Sequence, residues 1–400
     1  MEFSILIVLA TFFLLILLSA YDLFVLFIGI IGFSLNVYVL LLSDCFNRAS
    51  REASIKYYYL STLSSGLIIS GILIAYLIFH STKFLTITWI LHCWSITENL
   101  TKYNMILTIM LYFIIFGFLF KLSAFPCHLW SPEIYDGAPH PITAFFVLPI
   151  KIATFGIFLR LLTYVFNDLH LIWNHLIWIA SVMSMIWGAL GGLVEVRLKR
   201  FMAYSSINQM GFLLIGLLCG TFEGIRSSLI FLIIYVITNI GFFLLFLTTR
   251  DEKTNRSLTY LTDLNNFATQ NRLLSVTLVI ILFSLAGIPP LAGFFGKFYL
   301  LLHAFESGYY VVVIVGLLTS MISTFYYLRL IKIMWFETPQ SIENLSYTKY
   351  NFINYFNNNM LTCYFFVEVF LISFVVWSPL FFNIMDMLTY SCLMPLTPLV

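Results

Sequence analysis

Long apolar runs constrain the fold of this chain more than any other feature of its sequence. Eleven runs approach the length of about 17–25 residues that crosses a bilayer as a helix. They lie near residues 3–20, 23–42, 58–80, 104–126, 142–163, 171–195, 203–219, 225–249, 273–303, 309–334 and 360–384. Backbone polar groups in hydrocarbon must be bonded within the protein, and a helix meets that demand locally. The sequence therefore predicts an all-α integral membrane protein with about 11 transmembrane helices in one polytopic domain, residues 1–400.

Composition supports a membrane class and gives no sign of a bound cofactor. The chain is 61% hydrophobic and 10% charged, whereas a soluble domain is about 25% charged. Its six cysteines are scattered, without a C-x-x-C pair. Zinc-ligand spacing, a Gly-rich phosphate loop and a haem motif are missing from the sequence. We expect neither a metal nor a cofactor in this chain.

Basic residues are distributed unequally between the two sets of loops. Four fall on one side: Lys83, Lys102, Arg160 and Arg226. Thirteen fall on the other: Arg48, Arg51, Lys56, Arg197, Lys199, Arg200, Arg250, Lys253, Arg256, Arg272, Arg329, Lys332 and Lys349. Loops on the cytoplasmic side of a membrane carry an excess of Lys and Arg. This bias therefore predicts an N-terminus on the cytoplasmic or matrix side and a C-terminus on the opposite side.

The remaining three lysines, Lys121, Lys151 and Lys297, lie inside the apolar runs. Insertion scales assign about 2.5–3.5 kcal/mol to a charged residue at the centre of a membrane helix. Such residues line a wet path or meet a partner, so each is a functional-site hypothesis. One interpretation is a route for ions, most simply protons. The other is a structural ammonium bonded to backbone carbonyls.

Proline interrupts two of the apolar runs close to these lysines. Pro126 follows Lys121, and Gly287-Ile-Pro-Pro290 precedes Lys297. Proline removes a backbone donor and breaks the helical hydrogen-bond ladder. Broken helices at membrane depth are tolerated where they line a cavity. The pattern favours two broken helices, each with a lysine at the break.

Three segments resemble the signature of the antiporter-like membrane subunits of respiratory complex I. They are Phe120–Ala144, Leu198–Gly211 and Ser284–Phe298. Within that family, the segment Glu52–Tyr57 and the 30-residue spacing from Lys121 to Lys151 favour the N-type branch. The resemblance covers most of residues 20–335.

The resemblance implies a particular architecture. Members are built on two inverted five-helix repeats, each with one broken helix, which here would cover roughly residues 3–163 and 171–334, with a C-terminal helix over 360–384. Bacterial members carry further helices before the point where this chain begins. We expect those helices to be lost or to be supplied by a separate polypeptide.

The resemblance also implies a function: a proton-translocating membrane-arm subunit of NADH:ubiquinone oxidoreductase. Lys121, Lys151 and Lys297 match the family's proton-path lysines. Burial disfavours an ammonium, while a nearby anion or water favours it, so lysines bridged by water can take and pass protons. NADH, FMN, iron–sulfur clusters and ubiquinone are expected on partner subunits, alongside other antiporter-like and small membrane subunits.

The implied location is the mitochondrial inner membrane, with the N-terminus in the matrix and the C-terminus in the intermembrane space. Two alternatives stay open. One is an Mrp-type cation/proton antiporter of the same superfamily. The other is a structural membrane-arm subunit that does not pump.

One departure from the family pattern motivates the structural alternative. The family pairs its first broken-helix lysine with a glutamate, and Ile31 occupies that position here. Asp22 lies nine residues earlier, about 13 Å away at helical rise. It cannot replace the glutamate without a large rearrangement. Either another chain supplies a carboxylate, or the proton path is altered or inactive.

Four other polar residues in or near the apolar runs are secondary candidates. His128 could serve the proton path because histidine titrates near physiological pH, although loop histidines are more often structural. Glu368 in the last run is either a proton-path carboxylate or a glutamate that reaches toward the membrane surface. Asn208 and Gln209 are expected to make interhelical hydrogen bonds.

Overall fold

The computed structural model describes residues 2–44, 47–96, 99–251, 258–265, 267–337, 352–354 and 358–393, and these are almost entirely helical. The first part of the chain forms α1 (Glu2–Leu18), α2 (Leu23–Leu41), α3 (Arg48–Phe79), α4 (Phe84–Ile96), α5 (Asn99–Leu122), α6 (Trp130–Gly137), α7 (His140–Phe145) and α8 (Lys151–Arg160). A π-helical turn, Phe146–Ile150, joins α7 to α8, and a second, Leu161–Val165, follows α8.

The second part continues with α9 (His170–Val194), α10 (Leu198–Cys219), α11 (Phe222–Thr248), α12 (Phe267–Gln270), α13 (Arg272–Ala286), α14 (Ala292–Glu306), α15 (Tyr310–Trp335) and α16 (Asn358–Leu393). Two short strands, β1 (Thr249–Asp251) and β2 (Phe352–Asn354), pair antiparallel. The predicted helical membrane fold is confirmed. Among the described residues, these two strands are the only named elements that are not helical.

Nine segments of the described chain are long and apolar enough to cross a membrane. Helix length and hydropathy thus support nine of the eleven predicted transmembrane helices. The two other predicted spans correspond to α1, which has 17 residues, and to the broken pair α13 and α14, which have 15 residues each. The basic residues Lys253, Arg256 and Lys349 used for the predicted orientation lie outside the described residues.

Several predicted boundaries differ from the observed ones. Helix α3 begins at Arg48, ten residues before the predicted span at 58, because its first turns carry polar residues that still favour a helix. Helix α4 matches no predicted span because its 13 residues are too few to cross a bilayer. Helix α16 continues to Leu393, past the predicted end at 384.

Helix α10 forms the centre of the bundle. It packs against α9, α11, α14, α6 and α15, and nearly all of its side chains are buried. Glycines allow the closest approach: a Cβ added at Gly188 of α9 would lie 2.5 Å from the backbone nitrogen of Asn208. Small residues at helix contacts let backbones meet in this way. Polar groups on α10 are consequently held away from lipid.

Both predicted helix breaks are present. Helix α5 ends at Leu122, and α6 begins at Trp130. The Trp130 indole donates to the carbonyl of Phe120 (3.0 Å) and stacks on its ring, so the two halves remain attached. The left-handed backbone of Ser123, with φ of 57°, turns the chain out of α5.

The second break separates α13 from α14 over residues 287–291. Gly287 has a φ of 86°, a conformation that side chains disfavour. A Cβ added at Gly293 would lie 1.8 Å from the carbonyl oxygen of Ser284. Glycine is therefore required at both positions for the two half-helices to meet at this angle.

We predict that Gly188→Leu destabilises the chain, because overpacking a filled contact costs about 1–3 kcal/mol or more. The matched control is Gly66→Leu, since a Cβ at Gly66 meets no atom within 4 Å. The measurement is the midpoint of thermal unfolding in detergent. Equal midpoints for the two variants would contradict the packing described here.

Candidate functional site

The three lysines predicted from the sequence are all buried inside the bundle. Their exposed fractions are 5% for Lys121, 2% for Lys151 and 5% for Lys297. Among the described residues, none of the three forms an ion pair with a carboxylate. An unpaired buried charge is costly, so each ammonium depends on neutral neighbours for stabilisation. Those neighbours differ from one lysine to the next.

Lys297 is held by the end of a broken helix. Its Nζ donates to the carbonyls of Leu285 (2.8 Å) and Ala286 (2.9 Å), the last residues of α13. Carbonyls at a helix C-terminus lack intrahelical donors and carry partial negative charge. The break in the helix thus provides two acceptors for an ammonium. The ring of Phe212 lies below the same Nζ at 5.4 Å, within the range of a cation–π contact.

Lys151 is bound by a hydroxyl of the central helix. Its Nζ donates to Ser206 Oγ (2.9 Å), and Ser206 in turn donates to the carbonyl of Ala203 (2.7 Å). Lys151 is the first residue after the π-helical turn, which contains Pro149. A π-helical turn is a local insertion into a helix and is frequent at functional sites. Here it occurs immediately before the lysine that reaches α10.

Lys121 has the least direct support of the three. Its Nζ makes no hydrogen bond to a described residue and lies 5.3 Å from the ring centre of Phe33 on α2. It borders a cavity of about 10 Å³, room for about one water. The cavity is lined by Phe33, Tyr57, Ser61, Phe120, Lys121, Trp130, Tyr135, Phe146 and Ile150. No carboxylate is among these residues.

In the family pattern, a glutamate pairs with the lysine of the first broken helix. Among the described residues, no other carboxylate takes that place beside Lys121. Ile31 is half-buried on α2. Asp22 caps the same helix, because its carboxylate accepts from the backbone nitrogen of Phe24 (2.9 Å). That bond places Asp22 at the helix end, as its sequence spacing predicts, and away from the cavity beside Lys121.

Helix α10 connects the surroundings of Lys151 to those of Lys297. Ser206 and Gln209 are three residues apart, so they share a face of the helix. Ser206 binds Lys151, while Gln209 Nε2 donates to the carbonyl of Leu285 at 3.5 Å, the same oxygen that accepts from Lys297. The predicted interhelical hydrogen bond of Gln209 is confirmed. The Asn208 amide lies beside the Tyr326 side chain of α15, but neither of its polar atoms meets the geometry of a hydrogen bond to a described residue.

The two remaining candidates lie apart from this arrangement. His128 is buried in the first helix break and stacks between Phe125 and Trp187, with ring centres 5.8 and 5.9 Å away. Its Nδ1 has no hydrogen-bond partner among the residues that the structure describes. Glu368 is half-buried on α16 and makes no hydrogen bond or ion pair with a described residue. Neither side chain is bonded to any of the three lysines.

Sequence reasoning missed two features of the site. Serines in a membrane helix most often bond their own backbone, so only the fold shows that Lys151 reaches Ser206. Gly287 was noted as part of a break, yet its relation to Lys297 is tertiary: a Cβ there would lie 3.1 Å from Lys297 Cδ. The signal that could have found Ser206 is the run Ser205-Ser-Ile-Asn-Gln209 inside an otherwise apolar span.

Two broken helices, each with a buried lysine beside the break, surround a central polar helix. This combination defines a polytopic membrane protein with an antiporter-like fold. The family described as NADH:quinone oxidoreductase/Mrp antiporter, transmembrane, matches residues 20–323. The chain belongs to that family.

Relatives place the chain in the N-type branch, as the sequence predicts. NADH-quinone oxidoreductase subunit N of Rhodospirillum rubrum is 38% identical over 348 residues, which cover 87% of this chain and 70% of the relative. NADH-ubiquinone oxidoreductase chain 2 of Marchantia polymorpha is 41% identical over 340 residues, covering 85% of this chain and 68% of the relative.

Solved structures share the fold. A chain of respiratory complex I from Thermus thermophilus superposes with a TM-score of 0.77 at 23% identity, covering 96% of this chain and 79% of that one. A chain of the Mrp complex from a Dietzia species gives 0.83 at 16% identity, covering 98% and 76%. Fold similarity alone thus does not separate these two kinds of assembly.

We predict that Ser206→Ala lowers the number of protons moved per NADH oxidised. The substitution removes the hydroxyl that accepts from the Lys151 ammonium, and a hydrogen bond to a charged group contributes about 1.5–3 kcal/mol. Ser206→Thr keeps a hydroxyl and should retain most of the activity.

The matched control for this variant is Ser228→Ala, since Ser228 is equally buried and bonds only the carbonyl of Ile225 within its own helix. The assay uses sealed membrane vesicles with a pH-sensitive dye. A proton yield that is unchanged in Ser206→Ala would argue against a role for the Lys151–Ser206 bond.

Proposed function

We propose that this chain is a proton-translocating membrane-arm subunit of NADH:ubiquinone oxidoreductase. In this proposal Lys121, Lys151 and Lys297 take up and release protons while NADH oxidation and quinone reduction occur on partner subunits. The observation that supports it most strongly is the set of three buried lysines stabilised by neutral groups alone. An ammonium that no carboxylate holds can lose its proton without leaving an unpaired anion behind.

The arrangement around each lysine suggests how a proton could be exchanged. A hydroxyl or a carbonyl stabilises the protonated amine as an acceptor, while a serine hydroxyl can also donate to the neutral amine. Lys151 therefore has a partner in both protonation states. Lys297 has acceptors only, and its two carbonyl partners can accept from either the ammonium or the neutral amine. A carbonyl does not take up the proton, so exchange at Lys297 requires another group or a water to approach its Nζ.

Helix α10 supports a connection between Lys151 and Lys297. Ser206 contacts Lys151 and Gln209 contacts the acceptor of Lys297, so the two lysines share one rigid element. His128 and Glu368 are secondary members of the proposed path. We further propose that the chain lies in the mitochondrial inner membrane, with its N-terminus in the matrix and its C-terminus in the intermembrane space.

An Mrp-type antiporter remains the second candidate because of the fold similarity. Sequence identity favours the complex I assignment: relatives named as subunit N or chain 2 are 37–41% identical over 84–87% of this chain, whereas the matched Mrp chain is 16% identical. A structural subunit that does not pump is the third candidate, and the observation that favours it is the cavity beside Lys121 without a carboxylate.

We predict that Lys297→Met lowers the protons moved per NADH oxidised in an intact complex. Removing a positioned proton-transfer group slows the step that it serves by about 10²–10⁴-fold. Methionine keeps the apolar stem and removes only the proton-carrying group. A native gel stained for NADH dehydrogenase activity checks that the variant assembles.

The outcomes of this experiment separate the three candidates. A reduced proton yield in an assembled complex supports pumping through this chain. An unchanged yield in an assembled complex supports a structural subunit. If the wild-type chain migrates only in small species without NADH dehydrogenase activity, and its vesicles exchange sodium for protons, the antiporter is supported instead.

A further inference from the structure

A buried histidine meets two glutamates at the end of α14, outside the lysine site. His303 is 7% exposed. Its Nδ1 lies 2.9 Å from Glu306 Oε2 and 3.4 Å from Glu223 Oε2, and one atom from each of the three side chains lies within 4.8 Å of the other two. No other three histidine, cysteine or acidic side chains of the described chain come together this closely.

Two helix ends position these side chains. His303 and Glu306 are three residues apart in the last turn of α14, so they share a face of that helix. Glu223 lies in the first turn of α11, which begins after Thr221, whose hydroxyl caps the helix by accepting from the backbone nitrogen of Gly224 (3.1 Å). Helices α11 and α14 pack against each other. The three side chains therefore project from ordered helical turns of neighbouring helices.

The imidazole cannot satisfy both carboxylates by itself. Nδ1 carries at most one hydrogen, and its contact with Glu306 uses that hydrogen. No lysine or arginine of the described residues forms an ion pair with Glu223 or Glu306. Arg226, one turn beyond Glu223, instead bonds Asp386 of α16 (3.2 Å). Two carboxylates thus converge on one nitrogen, an arrangement that a bound cation stabilises because it attracts both of them.

The chemistry of the three donors selects a class of cation. Calcium and magnesium prefer ligand sets made of oxygen atoms, whereas an imidazole nitrogen favours transition metals. Zinc binds nitrogen and carboxylate oxygen at about 2.0–2.2 Å, and tetrahedral bonds of that length separate the ligand atoms by about 3.4 Å. The distance from His303 Nδ1 to Glu223 Oε2 is 3.4 Å. The shorter contact with Glu306 requires only a small rotation of an exposed side chain.

We propose that Glu223, His303 and Glu306 form a binding site for a divalent transition metal, of which zinc fits best. The site lies at the membrane face where α11 begins and α14 ends. Three protein ligands leave a fourth position for water. The side chains of Glu223 and Glu306 are 58% and 55% exposed, so an ion can reach the site from solvent. This inference does not depend on the proposed proton-translocating function, because it concerns metal binding alone.

A bound ion would join α14 to α11. Lys297 lies six residues before His303 on the same helix, about 9 Å away at helical rise. The metal would therefore fasten the half-helix that carries Lys297 at its other end. A ligand that binds only the folded state raises the stability of that state. We expect zinc to raise the midpoint of thermal unfolding of the wild-type complex more than that of a variant without the site.

The test is the zinc content of the purified, assembled complex, measured against a zinc-sensing dye. Glu223→Gln and Glu306→Gln each keep the shape of the side chain and remove a charged ligand. Each variant should hold one zinc ion fewer per complex than the wild type does. A native gel checks that both variants assemble, and excess magnesium should leave the zinc bound.

The matched control is Glu52→Gln. Glu52 is a helical glutamate of α3 with a side chain that is 60% exposed, and it pairs with Lys56 rather than with a histidine. Removal of its charge should leave both the zinc content and the effect of zinc on unfolding unchanged. A loss of zinc in this control equal to the loss in Glu223→Gln would show that the ion responds to overall surface charge, which would overturn the site.

Electron cryo-microscopy of the wild-type complex tests the site without any variant. Zinc-treated particles should show added density about 2.0–2.2 Å from His303 Nδ1 and from one oxygen of each glutamate, and chelator-treated particles should lack it. Equal zinc content in the wild type and in both glutamine variants, or no added density beside His303, would overturn the proposal. The three side chains would then be an ion pair of a protonated histidine with two glutamates.

Discussion

The burial of three lysine amines, none of them paired with a carboxylate among the described residues, is the constraint on which the rest of this structure depends. A lysine at membrane depth is unfavourable by several kcal/mol unless it meets acceptors or water. Lys297 meets the free carbonyls of a helix end, Lys151 meets a serine hydroxyl, and Lys121 meets an aromatic ring and a small cavity. Each of the three lysines is thus stabilised by neutral groups.

The helix break at Gly287 follows from this constraint. An unbroken helix would use the carbonyls of Leu285 and Ala286 in its own hydrogen bonds and leave none for Lys297. Ending α13 there frees both oxygens, and the left-handed glycine turns the chain away so that α14 can bring Lys297 back to them. The backbone conformation at Gly287 and the hydrogen bonds of Lys297 therefore depend on each other. Its cost in lost helical bonds is offset by the bonds to the ammonium.

Much of this account follows from the sequence, because its strongest signals are local. Apolar run length predicts the helical membrane fold, and proline beside lysine predicts both breaks. The motifs around Lys121, Lys151 and Lys297 predict the family. These features depend on residues close together in the chain, so neighbouring letters are enough to find them.

The features that could not be predicted depend on tertiary contacts. Nothing near Ser206 in sequence indicates Lys151, which lies 55 residues away. Asn208 was expected to bond across helices and instead faces tyrosines of α15. Helix α4 was not predicted because its 13 residues are fewer than a membrane-spanning helix needs. Ser206 and Asn208 can both be read from the sequence, but the contacts that they make depend on which helix packs beside them.

The central claim is that buried lysines change protonation while the complex turns over. Infrared difference spectroscopy of the complex with isotope-labelled lysine, recorded between the oxidised and the NADH-reduced states, tests this most directly. The account predicts ammonium bands that appear or vanish on reduction and that are diminished in Lys297→Met and Lys151→Met. Lysine bands that stay identical in both states, in a complex that still pumps, would contradict it.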